Sequence, residues 1–203
     1  IENTTLTYME PYASSTCELV TEILQYASDK SIITKVDAEA ILAGITLDTK
    51  HFSSRCGVRT FEAASYLRRA GTDIAKVRNF FQVDQRLFKK KAKAIIDAEV
   101  IEGHIAISKC QEPDENIGLV TSLAADEMLD IRGMKATIVC GKDLKDKTVI
   151  SARSLGEVNV QIIMEKMGGG GHLNMAGAQV ELSLDETLTR IKEIIGEMEG
   201  RKE

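Results

Sequence analysis

The chain has 203 residues, 43% of them hydrophobic and 28% charged, enough apolar material for one large domain or two modest ones. A formal net charge of −5 and an aromatic content of 4% argue against a binder of long nucleic acid, which needs basic excess or stacking platforms. A small anionic ligand held by a few local donors stays compatible with both figures.

The first element in chain order is a helix over "SSTCELVTEILQYASDK". Ser15 and Glu18 stand at capping-box spacing, and Leu19, Val20, Ile23 and Leu24 form one apolar stripe. A second helix runs from Asp37 to about Leu42 or a little beyond, and in "AGITLDTKHFSSRCGVRTF" helical periodicity stops, with "GITLD" strand-like and polar residues crowded after it. Helices resume with "TFEAASYLRRAG", ended by Gly71, and continue with "DIAKVRNFFQ" and the basic "DQRLFKKKAKAIIDAEV". From Ile101 onward the pattern becomes β-α-β-β-α-β-α. "GHIAISKC" is a strand, "NIGLVTSLAADEMLDI" a helix, "MKATIVCG" and "KTVISARS" a hairpin, "VNVQIIMEKM" a helix, "GAQVELSL" a strand and "LDETLTRIKEIIGEMEG" a final helix. We therefore expect residues 1–83 as a helical portion, 84–100 as a connecting helix and 101–203 as a mixed α/β domain.

Cys17, Cys56, Cys110 and Cys140 are scattered, with neither CxxC nor zinc spacing, and read as reduced cytosolic thiols filling core. No apolar run approaches the ~18 residues of a membrane helix, so no membrane contact is expected of this stretch. A chain that starts at Ile1, without methionine or targeting segment, is expected to be part of something longer.

Four consecutive glycines, Gly168–Gly171, precede His172. They lie inside a domain rather than between domains, so a slack linker is a poor reading. Two remain: a nest of backbone amides that binds an anion, with His172 as a further donor, or a tight structural turn. No Lys-Ser or Lys-Thr follows, so this is not a Walker loop. At the end of a preceding strand, Arg153 shares a face with Ser151 beside Ser154, an arrangement suited to gripping phosphate or to a solvent-facing strand end.

"SARSLGEVNVQIIMEKMGGGGHLNMAG" resembles the signature of the DHH-associated domain of DHH phosphoesterases. "YASSTCELVTEIL" is similar to the segment after that family's DHH motif, and "GITLDTKHFSSRCGVRTFEAASYLRRAG" to the segment carrying its last metal-binding aspartate. The longer form of that segment most resembles membrane-anchored bacterial cyclic-di-AMP phosphodiesterases. The implied fold class is α/β: the C-terminal part of a DHH domain, mostly helical here, followed by a mixed-sheet DHH-associated domain.

The resemblance implies hydrolysis of cyclic-di-AMP to a linear dinucleotide with two Mn2+ ions in the intact enzyme. Asp48 is the family-matched metal ligand; Ser151, Arg153, Ser154, Gly168, Gly169, Gly170, Gly171 and His172 are the implied substrate-binding set. His51 is assigned an orienting or structural role, and Arg55 and Arg59 face phosphate or form surface ion pairs. The Asp-x-Asp and DHH motifs do not occur, and "AADEMLD" cannot replace them, so this chain alone is expected to be inert and not to retain the ions. The expected partner is a cyclic or short linear dinucleotide, with a homodimer left open. The expected setting is the cytoplasmic portion of a protein anchored in the bacterial membrane by N-terminal segments. Alternatives are a short-oligonucleotide exonuclease, a bisphosphate nucleotidase, or a non-catalytic nucleotide-binding module.

Overall fold

A computed structural model of the chain describes residues 5, 7–26 and 33–199. It divides into two compact units, Ile1–Gln82 and Val83–Glu203.

The first unit contains α1 (Thr16–Tyr26), α2 (Lys35–Asp48), α3 (Val58–Arg69) and α4 (Ile74–Asn79). Its core is one apolar cluster built on Ala38, Leu42, Ile45, Ala63, Leu67 and Val77. One sequence expectation is corrected here. Residues 43–48 do not form a strand-like segment; they complete α2, whose N-terminus is capped reciprocally by Thr34 and Asp37. The β-branched run is helical because Ala38, Leu42 and Ile45 bury at helical spacing. Thr46 Oγ1 and Thr49 Oγ1 donate to the carbonyls of Leu42 and Ile45, each at 2.7 Å, so both hydroxyls are satisfied inside the helix. Of the α1 stripe, Leu19 and Leu24 are half-buried and Val20 and Ile23 exposed, while Glu18 and Thr21 are buried.

Glu18 is buried because hydrogen bonds surround it. Its amide donates to Ser15 Oγ at 3.1 Å, the first half of the expected capping box. Its carboxylate accepts from the Ser14 amide at 3.3 Å, Ser14 Oγ at 2.5 Å and Thr60 Oγ1 at 2.6 Å. A polar tie thus joins α1 to α3.

The second unit is a six-stranded sheet of order β1-β2-β3-β4-β6-β5. The strands are β1 (Glu99–Ile101), β2 (Ile105–Cys110), β3 (Ala136–Lys142), β4 (Thr148–Ser154), β5 (Gly170–His172) and β6 (Met175–Val180). Only β2 and β3 pair in parallel, with α6 (Ile117–Leu129) between them in sequence. One face packs Ala106, Cys110 and Val139 against α6 and α5 (Gln85–Ile96). The other packs Ile138, Ile150, Ala152, Ala176 and Ala178 against α7 (Val160–Lys166) and α8 (Leu184–Glu199). The mixed α/β class expected from the sequence is the class observed, with two strands added. β1 is a three-residue strand at one edge, and the glycine run itself supplies β5 at the other. The basic helix α5 buries Ala94 and packs Leu87 and Ile95 within this unit's core. Among the described residues, no helix is long and apolar enough to cross a membrane.

Candidate functional site

The glycine run divides its work by position. At the end of α7, Gly168 takes a φ of +79°, and its amide donates to the Glu165 carbonyl at 3.0 Å. The Gly169 amide donates to the Met164 carbonyl at 2.8 Å, so both amides terminate a helix. A Cβ on Gly169 would lie 2.1 Å from the Gly177 carbonyl oxygen, and one on Gly171 would lie 2.4 Å from that of Met175. These two glycines let β5 approach β6. Gly170 is different, because a Cβ there would meet nothing within 4 Å.

Strand register assembles the site. His172 stands opposite Met175, and Met175 opposite Arg153, so the three residues share one face of the sheet. Gly170, Gly177 and Ser151 form the next row on the same face. It is the α6 side: Ser151 Oγ lies 2.9 Å from Thr121 Oγ1, and Arg153 Nε donates to Asp126 at 3.1 Å. Arg153 also donates to Ser122 Oγ and, at 3.0 Å, to the Ala152 carbonyl. The result is a shelf with two glycines as floor, exposed His172 and Met175 on one side, and α6 with buried Arg153 on the other. As the edge strand, β5 turns alternate amides outward.

Ser154 falls on the opposite side of β4, and its Oγ accepts from the Gly156 amide at 2.9 Å. Sequence reasoning placed it with Arg153 but missed Asp126 and Ser122, reading "AADEMLD" only as an acidic helix face. The one signal available was charge complementarity to Arg153, which becomes specific only once α6 is docked on β4.

Asp48 lies in the other unit, exposed at the last position of α2. The turn after it is unusual: Lys50, His51 and Phe52 have φ of 47°, 57° and 62°, three successive non-glycine residues in the left-handed region. Thr49 secures the turn, its Oγ1 accepting from the Phe52 amide at 3.0 Å while the His51 amide reaches the Thr46 carbonyl at 2.8 Å. The His51 ring packs edge-on against Phe81 with centroids 5.0 Å apart. Burial, and then the negative charge of Asp48, raise the Cys17 thiol above its ordinary pKa. Arg59 forms a two-pronged ion pair with Glu22, at 2.5 and 2.6 Å, and holds that carboxyl below the usual range. Among the described residues no three His, Cys, Asp or Glu side chains converge as a metal site.

A β-α-β-β-α-β-β-α sheet unit whose glycine-rich edge strand follows a helix matches a known family: residues 102–197 form a DHHA1 domain, and this part of the chain belongs to that family. The sequence resemblance to DHH-family enzymes is borne out. Over 204 residues the chain is 44% identical to the cyclic-di-AMP phosphodiesterase GdpP of Geobacillus thermodenitrificans, a match covering 100% of this chain and 31% of that protein. It is also 44% identical over 176 residues to the cyclic-di-AMP phosphodiesterase PdeA of Listeria monocytogenes, covering 87% of this chain and 27% of that one. The chain thus spans less than a third of the length of these relatives. Among solved structures, an exopolyphosphatase-related protein from Bacteroides fragilis superposes with a TM-score of 0.81 at 20% identity, over 95% of this chain and 59% of that one. That likeness establishes a shared fold.

Proposed function

We propose that this chain is a portion of a phosphodiesterase that opens cyclic-di-AMP to a linear dinucleotide, and that the shelf beside α6 holds the substrate. The observation carrying this reading is the register that puts His172, Met175 and Arg153 on one face beside Gly170, which opens on free space, and Gly177, which carries no side chain. A flat floor without side chains admits a planar base or a phosphate close to the backbone. The His172 ring and the outward amides of β5 supply donors for a phosphate, and the Met175 side chain supplies an adaptable apolar surface for a base. Arg153 is tied to Asp126, which offsets its charge and fixes its guanidinium in place beside the shelf. Fixing the far end of the substrate orients the scissile bond, which turns binding into rate.

In the same reading Asp48 provides one ligand to the divalent metal of the whole enzyme, manganese by family resemblance, with the other ligands outside this sequence. We assign the whole enzyme to the bacterial membrane, with this portion facing the cytoplasm.

The test is chemical-shift mapping of this chain with a linear adenine dinucleotide, in wild type and His172→Ala. Shifts should centre on residues 151–153 and 170–177, and His172→Ala should weaken binding about tenfold, the loss of one hydrogen bond to a charged group. Shifts confined to other regions, or an unchanged affinity, would remove the shelf from the substrate's path.

A further inference from the structure

We infer a second anion site in this chain: the groove between α5 and the end of β2 binds a short phosphate chain. Arg86, Lys89, Lys90 and Lys93 from α5 and Lys109 from β2 line it, with Glu112 as the carboxylate in the same lining. Arg86 and Lys90, and Lys89 and Lys93, are each four positions apart, so the four residues form two adjoining rows that together span about 10 Å at 1.5 Å rise per residue. Like charges at such spacing destabilise a helix, and here they are concentrated in a protein whose net charge is −5. A bound anion would relieve the repulsion left between Lys89 and Lys93, since carboxylates already offset Arg86, Lys90 and Lys109.

The cations fall into two groups. Arg86 and Lys90 are held in place, each 2.8 Å from Asp114, whose side chain is 2% exposed, with Glu115 3.7 Å from Arg86 and Glu112 3.9 Å from Lys90. Lys109 is tied to Asp185. Lys89 and Lys93 are exposed and make no hydrogen bond or ion pair among the described residues. Buried Asp114 therefore acts as an internal anchor that fixes one side of the groove, while two free ammonium groups complete it. Ala94 and Cys110 give the groove an apolar floor, and burial raises the Cys110 thiol to a pKa of about 11, so it adds no negative charge at neutral pH.

Size and composition select the ligand. The groove volume is about 260 Å³, below the ~300–1,000 Å³ that encloses a drug-sized molecule. It suits a run of two or three phosphates rather than a whole dinucleotide. No aromatic side chain lines it, so nothing there stacks a base. The shared chemistry is a phosphate chain, free or as the tail of a nucleotide.

The test is titration of this chain at low salt with sodium tripolyphosphate, ATP and single-stranded oligothymidylate, read by amide shifts. Tripolyphosphate should shift residues of α5 and β2, and Lys89→Glu/Lys93→Glu should weaken it about tenfold or more, with added salt acting in the same direction. Those two residues touch no partner, so the variant should fold as wild type, and its binding of linear adenine dinucleotide at the shelf should be unchanged. ATP binding as well as or better than tripolyphosphate would place a nucleotide tail in the groove. Absence of shifts at α5, or shifts undiminished in the double variant, would overturn the site. Oligothymidylate outcompeting tripolyphosphate would also overturn it, making the groove a nucleic-acid track.

Discussion

In residues 83–203, apolar clusters cover both faces of a six-stranded sheet, with Ile138, Ile150 and Ile191 on one side and Val120, Ala124 and Val139 on the other. In residues 1–82, one cluster around Leu42, Ile45 and Leu67 shares the interior with Glu18, Thr21 and Thr60, all nearly solvent-free. Tyr8, Tyr12, Ile23, Val58 and Phe61 are meanwhile exposed there. The sheet unit is stabilised chiefly by apolar burial, which tolerates imperfect geometry; the helical unit relies more on directional bonds, which do not. A carboxylate such as Glu18 is tolerated in that interior only while Ser14 and Thr60 keep it hydrogen-bonded.

The largest expected effect breaks that comparison if the two units melt as one. Leu67→Ala and Ile150→Ala each remove a fully buried branched side chain and should cost about 2–5 kcal/mol. Leu67→Ala should lower the denaturation midpoint of residues 1–82 while the sheet's transition stays in place, and Ile150→Ala should do the reverse. Circular dichroism and hydrogen exchange over a denaturant series separate the two. Equal loss of protection in both units from either substitution would mean that their cores are coupled.

A smaller effect sharpens the reading of the sheet's glycine edge. Gly171→Ala drives a Cβ into the backbone of β6 at a φ of +147° and should cost roughly 1–3 kcal/mol, with amide protection lost along β5. Gly170→Ala enters open space and should stay within about 0.5 kcal/mol. The same substitution should nevertheless weaken dinucleotide binding, because its methyl group covers the shelf floor. Equal stability costs at the two positions would refute the division of roles.

How much of this was legible in the sequence follows from where each signal lives. The sheet and its helices could be read because alternation and amphipathic spacing are local, as in Ile105–Cys110 and in Ile117, Val120, Ala124 and Met128. Residues 43–48 could not, since a β-branched run resembles a strand until its helical face is buried against α3. β5 was hidden for a related reason: glycine has no strand propensity, and only the close approach of β6 makes it one. The pairing of Ser151 with Arg153 followed from simple alternation. Their row with His172 did not, because it depends on β6 lying between β4 and β5. Asp126 became visible as the partner of Arg153 only through tertiary docking.

The smallest expected effect concerns acid, and it asks whether the sheet unit also depends on one buried charge. Asp114 accepts from Arg86, Lys90 and the Asn116 amide, each at 2.8 Å. The Lys90 ammonium above all holds its carboxyl below the ordinary value of about 3.9. A carboxyl whose folded pKa is lowered binds protons more readily when unfolded. Its contribution is therefore complete above about pH 4 and is lost as pH falls through the lowered value. Asn cannot ionise, so Asp114→Asn should be less stable than wild type at pH 7, with the gap narrowing steadily toward pH 3. Glu22 and Glu186 are also held below their usual range, and they titrate alike in both proteins, so they cancel from the difference. The measurement is urea unfolding of both chains at several pH values, following the transition of residues 83–203. A gap that stays constant from pH 7 to pH 3 would mean that Asp114 acts as a shaped hydrogen-bond acceptor and that its charge is immaterial. The arginine and lysine of the α5 groove would then need another anchor.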